Sequence, residues 1–241
     1  LVVAEKMMAL GALITSVSHE INTPLGAAVT GASHLSTLLA RLRDAPSDAL
    51  WDDTEEALGL VNASLTRAVT LIKDLGTLAA EPISTQPSVF DLGTLVREYV
   101  DSLAEHMRQH LVRVEVVAAR GRIVSFADAI WPIVTNLLFN AASHAFPYGR
   151  EGRVWIRVEE QRDGAVLRYE DDGVGMSDAT RRRAFEPFFT TRREAGGTGL
   201  GLYIVYSLVT RRLGGTIDID SQAGHGTRYT ITLPDLVRHA S

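Results

Sequence analysis

The sequence contains no cysteine at all, which excludes disulfides, thiolate nucleophiles and cysteine metal sites, and fits a reducing compartment. No apolar run is long enough to cross a bilayer, and no signal peptide is recognisable. A formal net charge of −5 offers no basic footprint for nucleic acid, so no nucleic-acid partner is expected. Two phosphate-binding signatures are missing as well. There is no GxGxxG stretch after a strand and no Gly-Lys-Ser/Thr, so neither a Rossmann nor a Walker nucleotide site is available. The chain does have 241 residues, 46% of them hydrophobic and 22% charged, enough for one large or two small packed domains. It starts at Leu1 rather than Met, so a fragment with a sensor or membrane segment upstream is expected.

Two styles of sequence divide it. In residues 1 to about 43 apolar positions alternate at spacings of four and three. Met7, Ile14, Ile21, Ala28, Leu35 and Leu42 form one column, and Val3, Leu10, Val17 and Leu38 the other, interrupted at Pro24 and Gly31. The polar turn "DAPSD" (44–48) follows, and then a second seam: Leu58, Val61, Leu65, Ala68, Ile72, Leu75 and Ala79. This predicts an all-α helical hairpin over 1–80. One hairpin cannot bury a whole seam, so a homodimer closing a four-helix bundle is expected. "AEPISTQPS" (80–88), with two prolines and no periodicity, reads as a linker, assigned to 81–88. Residues 89–241 read as an α+β domain. Helices are expected at about 91–109, 128–146 and 199–213, and strands at "VRVEVVAA" and "RIVSF". Two alternating strands should flank an Asp-Gly turn, and a closing hairpin ends the domain.

Within the first helix "SVSHEINTPL" (16–25) sets His19 at the heptad position furthest from the seam, with Glu20 beside it and Thr23 one turn on. Pro24 costs a helix interior roughly 3 kcal/mol. An isolated surface histidine is ordinarily a solvated side chain. The chemical alternative is an imidazole nucleophile whose second nitrogen yields its proton to Glu20, on a helix locally bent by Pro24. In the second domain "NLLFNAASHAF" (136–146) places Asn136, Asn140 and His144 at i, i+4 and i+8, on one helix face, with Leu137, Leu138, Ala141 and Ala145 towards the sheet. Asparagine disfavours helix interiors, and its amide oxygen is a hard donor suited to Mg2+. "DDGVGM" (171–176) offers the acceptor Asp171, with Gly173 and Gly175 allowing close backbone approach. The glycines of "GGTGLGL" (196–202) open a helix, where backbone N–H groups favour phosphate. Between them "RRRAFEPFFTTRREAGG" (181–197) reads as a mobile lid anchored by Phe185, Phe188 and Phe189, with Arg192 and Arg193 able to reach phosphates.

"MMALGALITSVSHEINTPLG" resembles, over twenty positions, the H-box of sensor histidine kinases. The later segments resemble, in order, the N, G1, F and G2 boxes of the GHKL ATP-binding fold, and "GHGTRYTITLP" (224–234) its following strand. The likeness spans nearly the whole chain. It implies a dimeric bundle joined to an α+β sandwich that binds Mg-ATP. His19 would be the phosphoacceptor, Glu20 the general base, and Thr23 the residue orienting water for dephosphorylation of the partner. Asn140 would ligate Mg2+ with support from Asn136. Asp171 would take the adenine amine, with Gly173 and Gly175 beside it. Gly197, Thr198, Gly199, Leu200 and Gly201 would line the phosphates, and Thr227 would help hold adenine. The phosphoryl group would pass to an aspartate of a response regulator. The expected location is cytoplasmic, including the cytoplasmic part of a membrane-anchored receptor. Many members carry a basic or amide residue in place of Ser143 and Lys in place of Arg192; His144, Arg192 and Arg193 stand in as phosphate contacts. The rivals are a non-kinase GHKL ATPase, which has no use for an exposed His-Glu pair, and a degenerate kinase scaffold, which would not bind ATP. The protein-serine kinases of this fold lack the H-box.

Overall fold

A computed structural model describes the backbone of residues 2–79, 86–118, 121–146, 149–193 and 197–236; side chains are described from residue 17 onwards, Ala79 excepted. The expectations for Met7, Ile14, Val3, Leu10, Ala79, most of the linker and the lid residues 194–196 fall outside that description. Compactness divides the chain into two units. One is Leu1–Gly76 with Arg192–Thr198, and the other is Thr77–Thr191 with Gly199–Ser241.

The first unit is built on α1 (Val2–Asp44) and α2 (Asp48–Ala79). The turn between them is short because Ser47 starts α2 at once. Its carbonyl accepts from the amides of Leu50 and Trp51 at 3.1 Å, and its hydroxyl from Leu50 N–H at 3.4 Å. The predicted column of α1 is inside, with Pro24, Ala28, Leu38 and Leu42 all buried. Pro24 lies within a continuous helix, so the bend expected of it does not interrupt α1. Gly31 is also part of the seam, since a Cβ there would come within 2.8 Å of the Val61 side chain. On α2 the predicted seam holds at Ala68 and in part at Val61 and Leu75, and needs correction elsewhere. Thr54, Ala57, Ala68 and Leu71 are buried, whereas Leu58, Leu65 and Ile72 are exposed. The helix carries two adjacent apolar stripes, and small residues form the one that packs within the chain. Larger side chains would hold the two axes further apart.

The second unit centres on a five-stranded mixed sheet in the order β2-β4-β5-β7-β6. The strands are β2 (Val112–Ala118), β4 (Gly152–Gln161), β5 (Gly164–Asp171), β6 (Thr216–Ser221) and β7 (Thr227–Pro234). β2 pairs parallel with β4, and the remaining pairs are antiparallel. A separate ribbon joins β1 (Ser88–Asp91) to β3 (Arg122–Ser125). β1 was not foreseen, because it is only four residues long and abuts a proline-rich stretch.

α3 (Leu92–Gln109) starts where Asp91 accepts from Thr94 N–H at 2.8 Å. α4 (Ile130–Asn140) continues into a π turn, Ala141–Ala145; α6 (Gly201–Ser207) likewise runs into a π turn, Leu208–Arg212. A short α5 (Asp178–Arg183) precedes the F-box segment. Val96, Val100, Ile133, Leu137, Val205 and Val209 share one core with the sheet's apolar face. The β4–β5 loop is Arg162-Asp163 rather than Asp-Gly, since Gly164 already pairs with Gln161. Glycine is needed there for another reason. A Cβ at Gly164 would fall 2.0 Å from the Leu233 carbonyl oxygen.

Candidate functional site

The strand registers stack the core face of the sheet into rows. Val158, Leu167, Ile231 and Ile217 align, and next come Ile156, Tyr169, Tyr229 and Ile219. The third row is Val154, Asp171, Thr227 and Ser221. Alternation would make all four apolar, yet three are polar and all three are buried, Asp171 at 5% exposure. A polar group is buried at little cost only when it is hydrogen-bonded. Asp171 Oδ1 accepts from Gly173 N–H at 3.0 Å and Thr227 N–H at 3.2 Å. Ser221 Oγ donates to the Gly226 carbonyl at 2.8 Å, accepts from Met176 N–H at 2.9 Å and lies 3.0 Å from Thr227 Oγ1. Burial pushes the Asp171 carboxyl above the ordinary aspartate range, against the N–H bonds from Gly173 and Thr227, which pull it down. Both N–H groups meet the same oxygen, and the Tyr169 hydroxyl bonds to the same carboxyl from the neighbouring row.

The glycines here are steric requirements. Gly175 has φ 63°, and a Cβ would sit 2.0 Å from the Gln222 carbonyl; Gly226 has φ 74°, and its Cβ would be 1.9 Å from the Asp171 carbonyl. At Gly173 a Cβ would meet Ala145 at 2.5 Å, and Val174 N–H bonds to the Ala145 carbonyl at 3.0 Å. The Asp171 turn is thereby tied to the end of the helix that carries the asparagines. Asn136 donates from Nδ2 to the Pro132 carbonyl at 2.7 Å, which aims its Oδ1 outward. A Cβ on Gly201 would be 2.8 Å from that oxygen and 3.5 Å from Oδ1 of Asn140. Two amide oxygens therefore converge at the start of α6. Asn140 Nδ2 is buried without a partner among the described residues. His144 lies in the π turn, so the i, i+8 alignment expected of it on a plain α-helix is altered. Gly199, at φ 70°, packs against the Phe188 backbone, and Leu200 is fully buried. Phe188 itself has φ 63° and is buried; Phe185 stacks on Tyr206 at 5.5 Å, and the Arg183 guanidinium covers Phe189 at 4.3 Å.

In the first unit His19 is exposed, as its heptad position requires. Thr23 is exposed too, and its hydroxyl donates to the His19 carbonyl at 2.8 Å, which leaves its lone pairs outward. Glu20 is only 14% exposed at its side chain. Arg193 Nη1 lies 2.8 Å from both its oxygens, and Arg67 Nη2 is 3.5 Å from Oε2. Gly197 N–H bonds to the Arg192 carbonyl at 3.0 Å, and Thr198 Oγ1 donates to Asp74 at 2.7 Å. Burial raises the Asp74 carboxyl, the Thr198 bond offsetting part of the rise. Arg192, Arg193, Gly197 and Thr198 thus group with the helices, while the other nucleotide candidates group with the sheet. Sequence reasoning missed Arg67, Asp74 and Ser221. Ser221 was findable, because it continues the alternation of Ile217 and Ile219 with a hydroxyl. Arg67 and Asp74 gave no signal, being ordinary charges on a helix.

Residues 126–237 match the family described as histidine kinase-, DNA gyrase B- and HSP90-like ATPases. The sensor histidine kinase ZraS of Klebsiella oxytoca is 32% identical over 237 residues, 95% of this chain and 47% of that protein. The two-component sensor PprA of Pseudomonas aeruginosa is 30% identical over 235 residues, 95% of this chain and 25% of that protein. The crystal structure of histidine kinase ThkA in complex with response regulator protein TrrA superposes with a TM-score of 0.70. It covers 96% of this chain and 64% of that one at 20% identity, a likeness of fold. The chain spans a quarter to a half of the length of these two curated relatives. No helix among the described residues is long and apolar enough to cross a membrane. With an ATPase module at 126–237 and relatives aligned along almost its whole length, the chain is similar throughout to the core of sensor histidine kinases.

Proposed function

We propose that the protein transfers the γ-phosphoryl group of ATP to His19 and from there to an aspartate of a response regulator. The observation that carries this is an exposed histidine next to a held carboxylate, in a chain whose other unit buries Asp171, Thr227 and Ser221 in one recognition row. One ring nitrogen of His19 attacks the γ-phosphorus, and the bond to the bridging oxygen breaks with its electron pair leaving on ADP. The other nitrogen gives its proton to Glu20. The Asp171 carboxylate accepts from the adenine amine, and the Thr227 and Ser221 hydroxyls serve the adjoining ring edge. The backbone of Gly199–Gly201 opens α6 towards the phosphates. Most of the rate then comes from positioning and charge neutralisation.

Mg2+ fits this unit. The amide oxygens of Asn136 and Asn140 converge at Gly201, and Asn140 Nδ2, a donor without a partner among the described residues, suits a phosphate oxygen beside the metal. Asn140, supported by Asn136, would hold it, and it would neutralise phosphate charge. Among the described residues no cluster of three histidines or carboxylates could hold a metal, so nucleotide oxygens would complete the shell.

Exposed Leu58, Leu65, Ile72, Leu25 and Val29 are the surface that a second copy would cover in a four-helix bundle. The regulator would dock beside the exposed His19; ThkA, a kinase of like fold, is seen in complex with the response regulator protein TrrA. Thr23 would orient water in dephosphorylating it. The cytoplasm, where ATP is supplied, is the proposed location. The test is incubation with γ-labelled ATP. An acid-labile label that is present in the wild type and absent in His19→Gln supports the reading; label that persists in the variant overturns it. An unlabelled wild type that binds ATP would favour a plain GHKL ATPase.

A further inference from the structure

Glu20 stands one residue from an exposed histidine, yet its carboxylate is largely covered. The cover comes partly from Arg67 of α2, whose side chain is equally enclosed at 14% exposure. Arg67 Nη2 reaches Glu20 Oε2 at 3.5 Å, and Nη1 donates to the Arg193 carbonyl at 3.1 Å. Its Nε is buried and finds no acceptor among the described residues. Enclosing a guanidinium with one N–H unpaired costs free energy that a solvated arginine would not incur. A solely stabilising role is a poor account of such a residue. Its effect is to fix one carboxylate oxygen against α2, so that the direction of the Glu20 side chain is set by the hairpin instead of by its own rotamers.

We infer that Arg67 is a positioning residue for the proton transfer from His19, acting by holding the Glu20 carboxylate in the hairpin. This rests on the reading of Glu20 as general base. Arg193, also on Glu20, is half-exposed, whereas Arg67 is enclosed and comes from α2, the helix paired with that of the base. Proper alignment of a general base contributes up to about two to four powers of ten, and a misaligned base keeps part of that.

The experiment is a double-mutant cycle on the full chain with Arg67→Met and Glu20→Gln, read as the autophosphorylation rate at saturating Mg-ATP. Arg67→Met should lower kcat about tenfold, leaving KM for ATP and the melting temperature unchanged. In the Glu20→Gln background the same change should add nothing, because the group it positions is gone. Arg67→Lys should restore part of the rate. Equal effects of Arg67→Met in both backgrounds, or a rate loss that tracks a lower melting temperature, would overturn the inference and leave the base intact. A Glu20→Gln variant as fast as wild type would instead remove the base itself, and the inference with it.

Discussion

In the helical unit the groups assigned to chemistry stand outside the packed seam, whereas in the α+β unit they occupy the core face of the sheet. His19 and Thr23 are exposed and contribute no packing; Asp171, Thr227 and Ser221 fill a row that apolar residues would otherwise fill. The first arrangement suits a nucleophile that two large partners must reach in turn. The second suits recognition of a flat ring, where excluded water strengthens each hydrogen bond. The difference also sets how mutations act. In the hairpin function can be removed without touching the fold. In the sheet the two are coupled, and they pull in opposite directions at Asp171.

The largest effect should be His19→Gln, which abolishes acid-labile labelling while ATP affinity by calorimetry and dimer mass by light scattering stay unchanged. Loss of folding in that variant would break the comparison. Next is Asp171→Asn. Its amide oxygen would turn to the Gly173 and Thr227 N–H groups, so an NH2 would replace Oδ2. ATP affinity should fall on the order of 10- to 100-fold. Stability should not fall with it. Asp171 has a raised carboxyl in the folded state, so its contribution is fully present below the ordinary aspartate value and is lost as pH rises through the raised one. At neutral pH the charge is therefore a liability, and Asp171→Asn should melt no lower than wild type. The same sign makes wild-type ATP binding weaken on acidification earlier than an exposed aspartate would, with no such limb in Asp171→Asn. Calorimetry and thermal melts across pH 4 to 8 check both.

A pair of glycine substitutions comes third. Gly175→Ala meets backbone at positive φ and should cost about 3 kcal/mol or more. Gly31→Ala meets a γ-methyl of Val61 at 2.8 Å, which the stiff χ1 of a helical valine holds in place, so overpacking of about 1–3 kcal/mol is offset only in part by about 1 kcal/mol of helix propensity, and the net cost should stay below that at Gly175. Urea unfolding measures both, and equal losses would mean that the hairpin seam is as unforgiving as the sheet edge. The smallest effect is Thr23→Ala, which should change stability by less than about 0.5 kcal/mol and leave autophosphorylation intact. It should slow phosphate release from a phosphorylated regulator. Equal release rates, measured where wild type exceeds the regulator's own decay, would remove Thr23 from that role.

The elements that sequence reading found were those with strong periodicity. The hairpin, α3, α4 and the β4–β5 pair fall close to their expected bounds. β1 escaped because four residues carry too little pattern. Of the packed stripe of α2 the periodicity found Ala68 but not Thr54, Ala57 and Leu71, because it weighs large side chains while close helix contact selects small ones. Asn136 and Asn140 were legible as asparagines sharing one face of a helix, and Asp171 as an acceptor after a strand, beside Gly173 and Gly175. The cationic surroundings of Glu20 were not, since Arg67 is 47 and Arg193 is 173 positions away along the chain and only folding brings them in.

The two π turns give the chain a length sensitivity that no side chain reveals. Each inserts one residue more than an α-helix needs over its span, at the end of α4 and again after α6. A chain one residue shorter could close there as ordinary α-helix with little change of direction, whereas closing the ladder with all five residues of 141–145 kept would turn everything beyond it by about 100° relative to the buried first half. Ala145 would swing off Gly173, and the Asp171 turn would lose its brace although every atom of its own sequence is kept. Counting residues along this helix is thus as much a part of nucleotide recognition as their identity.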